Sequence, residues 1–159
     1  MNEPWGDWVI RPVRIDEADV LHALTQRSTM HWGYEPEFLN WEPEAIAVTP
    51  SFLERAIASY VLDEAGMVTG YYTLTGSLPE PQLDKLFVDA PYIGTGRGKV
   101  LWEHALATAR SLGATRITLY ADPHAAPFYR AMGAMWMGEE TTSRPGWHLQ
   151  IFEVVLTLP

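Results

Sequence analysis

The segment VDAPYIGTGRGK, residues 88 to 99, constrains this chain more than any other, because Gly94, Gly96 and Gly98 fall at every second position. Glycine has no Cβ, so such a run leaves backbone N–H groups bare and free to turn toward a ligand. A strand-like stretch, QLDKLFV (82 to 88), precedes it. KVLWEHALATARSLG (99 to 113) follows, with helical periodicity and a terminating Gly. A strand, a glycine turn and a helix N-terminus in that order form an anion cradle, which usually holds a phosphate.

Spacing argues against two other glycine loops. A Walker A loop needs Gly five residues before its Gly-Lys pair and Ser or Thr after it, and here those places hold Ile93 and Val100. A dinucleotide fingerprint needs a third Gly where Lys99 stands, and it belongs in an early βαβ unit.

The segment instead resembles V-x-x-x-x-Q-G-x-G-x-G-x-x-L, the signature of the GCN5-related N-acetyltransferases (GNAT). Val88, Gly94, Gly96, Gly98 and Leu101 match it, and Ile93 stands in the Gln or Arg slot. About thirty residues on, ADPHAAPFYRAMGA (121 to 134) resembles the family's N-x-x-A-x-x-F-Y-x-x-x-G-F motif. Ala125, Phe128, Tyr129 and Gly133 are in register, and Asp122 replaces Asn. The resemblance runs on through WVIRPVRIDEADV, HWGY and the closing IFEVVLTL. It implies an α/β (α+β) fold: a mixed, mostly antiparallel sheet of about seven strands with helices on both faces and splayed central parallel strands that admit the cofactor. It further implies acetyl-CoA as acetyl donor, held by Leu86, Phe87 and Val88, by Ile93, Gly94, Thr95, Gly96, Arg97, Gly98 and Lys99, and by Asp122 and Phe128. Of these, Arg97 and Lys99 carry the charge to neutralise a pyrophosphate or 3′-phosphate.

At 159 residues and 47% hydrophobic content, one well-buried domain spanning 1–159 is the simplest organisation. The net charge of −9 argues against a nucleic-acid partner, although not against a cationic substrate. With no Cys, transfer through a cysteinyl intermediate is excluded. The N-terminal MNEPWGDW lacks the basic and apolar regions of a secretory signal, and no segment is long and apolar enough for a membrane span. A cytoplasmic location is therefore expected. His22, His104, His124 and His148 show no ligand spacing, so no metal is expected.

Periodicity gives a coarse path. WVIRPVRI (8 to 15) alternates as a strand, and DEADVLHALTQRS (16 to 28) has the acidic start and apolar spacing of a helix. Pro36, Pro43 and Pro50 break residues 31 to 59 into one or two short helices with loops, the last over about 51 to 58. Residues 60 to 77 read as a hairpin about a DEAG turn. After strand 82 to 88 and helix 99 to 113 come a strand (115 to 122), a short helix (124 to 132) and strands near 135 to 142 and 149 to 158. Pro127 is tolerated in the first turn of that short helix.

Acetyl transfer from a thioester to an amine needs a base, a polarised carbonyl and a proton for the thiolate. Tyr129 matches the tyrosine that the family places beside the sulfur, and so is the expected acid; without the motif it reads as an aromatic packed on Phe128. For the base, Asp84 competes with His31. By alternation Asp84 shares a side with Leu86 and Val88, and its plainer reading is a carboxylate paired with Lys85. His31 is of the residue type that changes charge near neutral pH, and its plainer reading is a cap on the first helix. Trp32, Tyr34 and Glu35 join His31 as an aromatic and acidic surface suited to a cationic amine, with Glu37 following. SRPGWHLQ (143 to 150) resembles a loop and strand of relatives, with Trp147 where Arg often sits. The expected activity is direct N-acetylation of a primary amine, most simply of a small molecule. A non-catalytic acyl-CoA sensor and a protein N-terminal or lysine acetyltransferase are the alternatives, and a homodimer is left open.

Overall fold

The computed structural model describes residues 5–40 and 43–156. The predicted hairpin forms from β2 (Ala58–Glu64) and β3 (Met67–Thr75), joined by Ala65 and Gly66 at φ 53° and 94°. Two positive-φ residues give a turn whose twist matches that of the strands it joins. With β1 (Trp8–Pro12), β4 (Gln82–Val88), β5 (Arg116–Ala121), β6 (Met135–Thr141) and β7 (His148–Val155), the hairpin belongs to one seven-stranded sheet of order β1-β2-β3-β4-β5-β7-β6. Only β4 and β5 run parallel, so the sheet is mixed and mostly antiparallel.

Alternation along the hairpin sends side chains to two cores. Val61 and Tyr71 face α1 (Ala18–Met30) and α3 (Pro50–Arg55), where Leu21, Leu24, Val48 and Leu53 are buried with them. Leu62 and Tyr72 face α4 (Arg97–Ser111), whose Leu101, Trp102, Ala105 and Ala109 form a helical stripe on the sheet. α5 (Ala126–Ala131) adds Ala126 and Tyr129 to that second core, and a short helix, α2 (Pro43–Ile46), precedes α3. Helices therefore cover both faces, as expected. β1 is tied to the start of α1 by Arg11, which donates to both carboxylate oxygens of Glu17 (2.9 and 2.8 Å) and to Asp63 (2.9 Å).

Several boundaries differ from the sequence reading. α4 begins at Arg97, so the helix N-terminus lies inside the glycine loop. α3 stops at Arg55 because Ala58 already pairs with Leu74 in the sheet. The expected last strand ran to 158, and residues 157 and 158 lie outside the described residues, as do Trp41 and Glu42.

Two irregularities in β4 open the middle of the sheet. Its parallel pairing with β5 is a single position, Gln82 with Thr118, beyond which the strands separate. Its pairing with β3 slips between Thr73–Lys85 and Leu74–Leu83, which leaves Asp84 as the extra residue of a β-bulge.

Candidate active site

The gap between β4 and β5 leads into a cavity of about 440 Å³. Leu86, Phe87 and Val88 of β4 form one wall, and Phe128, Tyr129 and Met132 of α5 with Ala125 form the other. Gly94, Gly96, Gly98 and Lys99 line the end at α4, and Ser28 and Thr29 of α1, Trp32, Asp122 and His124 complete the lining. The cradle is real in its backbone. Gly96 caps the 15-residue helix α4 at φ 89°, a left-handed conformation that costs a residue with a Cβ about 1–2 kcal/mol. The helix dipole and unpaired first-turn N–H groups there suit an anion, with Ile93 on the lining beside them. Lys99 is exposed there and pairs with no carboxylate among the described residues. β4 beyond its one β5 bridge has main-chain groups free on that side for an extended ligand. A long, phosphate-headed thioester such as acetyl-CoA is of a chemistry that these residues fit: the glycines would hold its pyrophosphate, β4 its chain, and Tyr129 would face its acyl end.

Arg97 departs from its expected role. Its guanidinium turns away from the cradle and donates to both oxygens of Glu64 (2.6 and 2.7 Å), sandwiched between Trp5 and Tyr92 at 4.5 Å from each ring. The pair raises the arginine pKa and holds the Glu64 carboxyl below its ordinary value, so this charge is already spoken for. Thr95 also braces the loop, donating to the Tyr92 carbonyl and accepting from Arg97 (2.9 Å). Glu64 and Arg97 are 33 positions apart, so no local pattern announced the pair.

Tyr129 is 6% exposed, packed edge-on against Trp102 and Phe128, yet it lines the cavity. Burial pushes its phenol pKa up, so the hydroxyl is protonated at neutral pH as in an ordinary tyrosine.

Asp84 does not lie on this cavity. The bulge breaks the alternation that grouped it with Leu86 and Val88. Its carboxylate sits 3.3 Å from Thr75 Oγ1 and 3.4 Å from Lys85 Nζ. Lys85 is itself buried, donating to the Glu44 and Ala45 carbonyls (both 3.2 Å) over the Phe52 ring, and desolvation lowers its pKa. Asp84 therefore pairs with the buried lysine on the α2–α3 side, away from the cavity lining where a base would act. His31 caps α1 through its backbone N–H and is exposed, with its ring edge-on to Trp32 at 4.9 Å. Trp32 stands between it and the cavity residue His124.

The other acceptor-side residues form one network. Trp147 Nε1 donates to Tyr34 Oη (2.8 Å), and Tyr34 donates to Asp122 Oδ2 (2.8 Å). The other oxygen of Asp122 accepts from the His124 backbone N–H (2.7 Å) and lies 3.0 Å from His124 Nδ1. Tyr34 also stacks on Phe38 at 4.0 Å, and burial raises its pKa. Trp147 and Tyr34 thus brace the site through Asp122, while Trp32 reaches the lining and Glu35 is exposed. His124, Ser28, Thr29 and Met132 are cavity residues that the sequence reading missed. The Asp-x-His spacing of 122 and 124 was a visible signal for His124, whereas Ser28 and Thr29 looked like an ordinary helix end.

Residues 42–150 match the family model described as the acetyltransferase (GNAT) domain. The chain belongs to the GNAT acetyltransferases, enzymes that use acetyl-CoA as acetyl donor. It is 31% identical over 126 residues to the peptidyl-lysine N-acetyltransferase YjaB of Salmonella typhimurium, covering 78% of this chain and 81% of that protein. Its fold is similar to that of the PaiA N-acetyltransferase from Thermoplasma acidophilum in complex with coenzyme A (TM-score 0.77, 18% identity, 94% of this chain and 99% of that one). It is also similar to that of the ribosomal-protein-S18-alanine N-acetyltransferase from Escherichia coli (TM-score 0.73, 16% identity, 96% of each chain).

Proposed function

We propose that the protein transfers an acetyl group from acetyl-CoA directly to a primary amine of a small molecule, with Tyr129 as the acid that protonates the departing sulfur. The carrying observation is that Tyr129 lines the same cavity as the glycine cradle. A phosphate anchored at Gly94 to Gly98 and a chain laid along β4 bring a thioester to that hydroxyl. Acetyl-CoA, when bound, supplies the activated acyl group. The chain's residues position it, exclude water with Phe87, Phe128 and Met132, and supply the proton. Trp32 and the acidic surface beside it suit an amine that arrives as a cation.

The absence of any cysteine excludes a cysteinyl acyl-enzyme and so supports direct transfer. A lysine side chain of a protein is the second reading, favoured by the 31% identity to a relative named for peptidyl-lysine acetylation. Thiol release from acetyl-CoA, measured with a panel of small primary amines and lysine-containing peptides, separates the readings. Turnover with small amines and none with peptides is expected. Turnover confined to peptides transfers the assignment to the second reading, and tight acetyl-CoA binding with no turnover on either class makes the protein a sensor.

A further inference from the structure

We propose that His124, positioned by Asp122, is the general base that takes the proton from the acceptor amine; this rests on the acetyltransferase reading above. Neither of the bases expected from sequence occupies the cavity, and His124 does.

The hydrogen-bond pattern assigns its tautomer. Asp122 can only accept, so the Tyr34 hydroxyl spends its single proton on Oδ2, and Tyr34 Oη, which accepts from Trp147 Nε1–H, has no proton left to donate to His124. Asp122 Oδ1 is left facing His124 Nδ1 at 3.0 Å, so Nδ1 carries the proton and donates it. Tyr34 Oη, 2.9 Å from Nδ1, is on the same edge of the ring. The lone pair of the neutral imidazole is then on Nε2, at the ring's free edge, where no hydrogen bond from a described residue reaches it. Trp32 lies parallel to the ring at 5.2 Å and 8°, which fixes its plane. This is the logic by which a carboxylate orients a catalytic histidine, built here from a loop and two aromatic anchors.

The proton account balances. Nε2 takes one proton from the ammonium, and the freed lone pair forms the C–N bond to the acetyl carbonyl. The C–S bond breaks as Tyr129 gives its proton to the sulfur. The second proton lost by the nitrogen returns through solvent to the Tyr129 oxygen, and the imidazolium gives its own to water. His124 has 45% of its side chain exposed, so that last step has a solvent path. The charged and titratable groups facing the imidazole are Asp122 on its own loop, Tyr34 and, across Trp32, His31 from the segment after α1, Arg144 over the Tyr34 ring, and Tyr129 and Lys99 along the cavity.

The test compares the full-length wild type with His124→Gln, His124→Ala and Asp122→Asn by thiol release across pH, with acetyl-CoA binding measured by calorimetry. For His124→Gln the expected loss in kcat is about 10²-fold or more, with unchanged acetyl-CoA affinity and no acid limb in kcat/KM. Added imidazole should restore part of the His124→Ala rate. Without acetyl-CoA, 15N NMR of the wild type should show the Nδ1–H tautomer at His124, and Asp122→Asn should lose that preference. An active wild type whose pH profile survives in His124→Gln, or whose His124 carries its proton on Nε2, overturns the base assignment alone. A wild type that is silent with every amine and peptide overturns the acetyltransferase reading and this assignment with it.

Discussion

Burial does two different jobs at two residues of the site. It raises the Tyr129 pKa while the side chain still lines the cavity, whereas at the Arg97–Glu64 pair it seals a charge away from the ligand. Tyr129→Phe keeps the packing against Trp102 and Phe128 and removes only the proton. The expected result is a fall in kcat of about 10² to 10⁴ with acetyl-CoA affinity unchanged, read from saturation kinetics and calorimetry. Glu64→Gln loses charge-assisted bonds of 2.6 and 2.7 Å and should destabilise the fold by about 2 kcal/mol in urea titrations. Lys99→Ala should instead weaken acetyl-CoA binding several-fold and leave stability unchanged. The opposite distribution would return the phosphate role to Arg97. Asp122 was legible as the Asn position of a motif and His124 stands two positions on, but Tyr34 was not legible as their partner, because it meets Asp122 across 88 positions of chain. Side-chain pairings at such separations leave no periodicity to read.

The helix and strand order was legible because each element carries a long, uninterrupted period, as in the α4 stripe of Leu101, Ala105 and Ala109. The bulge at Asp84 was not, since one inserted residue changes no composition and yet reverses which face a side chain takes. The same elements meet closely at one place that sequence does not mark. A Cβ on Gly70 of β3 would stand 2.8 Å from Leu101 Cδ1 of α4 and 3.0 Å from the Phe87 carbonyl oxygen of β4. Gly70→Ala should therefore cost about 1–3 kcal/mol in denaturant unfolding. It should also weaken acetyl-CoA binding, because the displaced helix carries the cradle at its N-terminus. Full affinity in the variant would show that the seat of α4 does not set the cradle.

Across the whole molecule, two carboxylates, Glu17 buried and Glu64 half-buried, tie distant segments together: Glu17 joins β1 to α1 through Arg11, and Glu64 joins the hairpin to the glycine loop through Arg97. Both carboxyls are held below the ordinary glutamate value by their arginines. A lowered folded-state pKa contributes stability above the unfolded value, and that contribution is lost as pH falls through the folded value. The thermal midpoint should hold near neutral pH and drop below about pH 4, with a shallower drop in Glu64→Gln. With no cysteine to carry the acyl group, the proposed direct transfer predicts sequential kinetics, seen as intersecting initial-velocity lines; parallel lines would point to a covalent carrier other than cysteine. The account as a whole predicts one geometry, measurable in a crystal structure with CoA bound. The pyrophosphate should lie on the N–H groups of residues 94 to 98, and the sulfur within about 4 Å of Tyr129 Oη. A pyrophosphate held elsewhere, or a sulfur outside the cavity between β4 and α5, would contradict it.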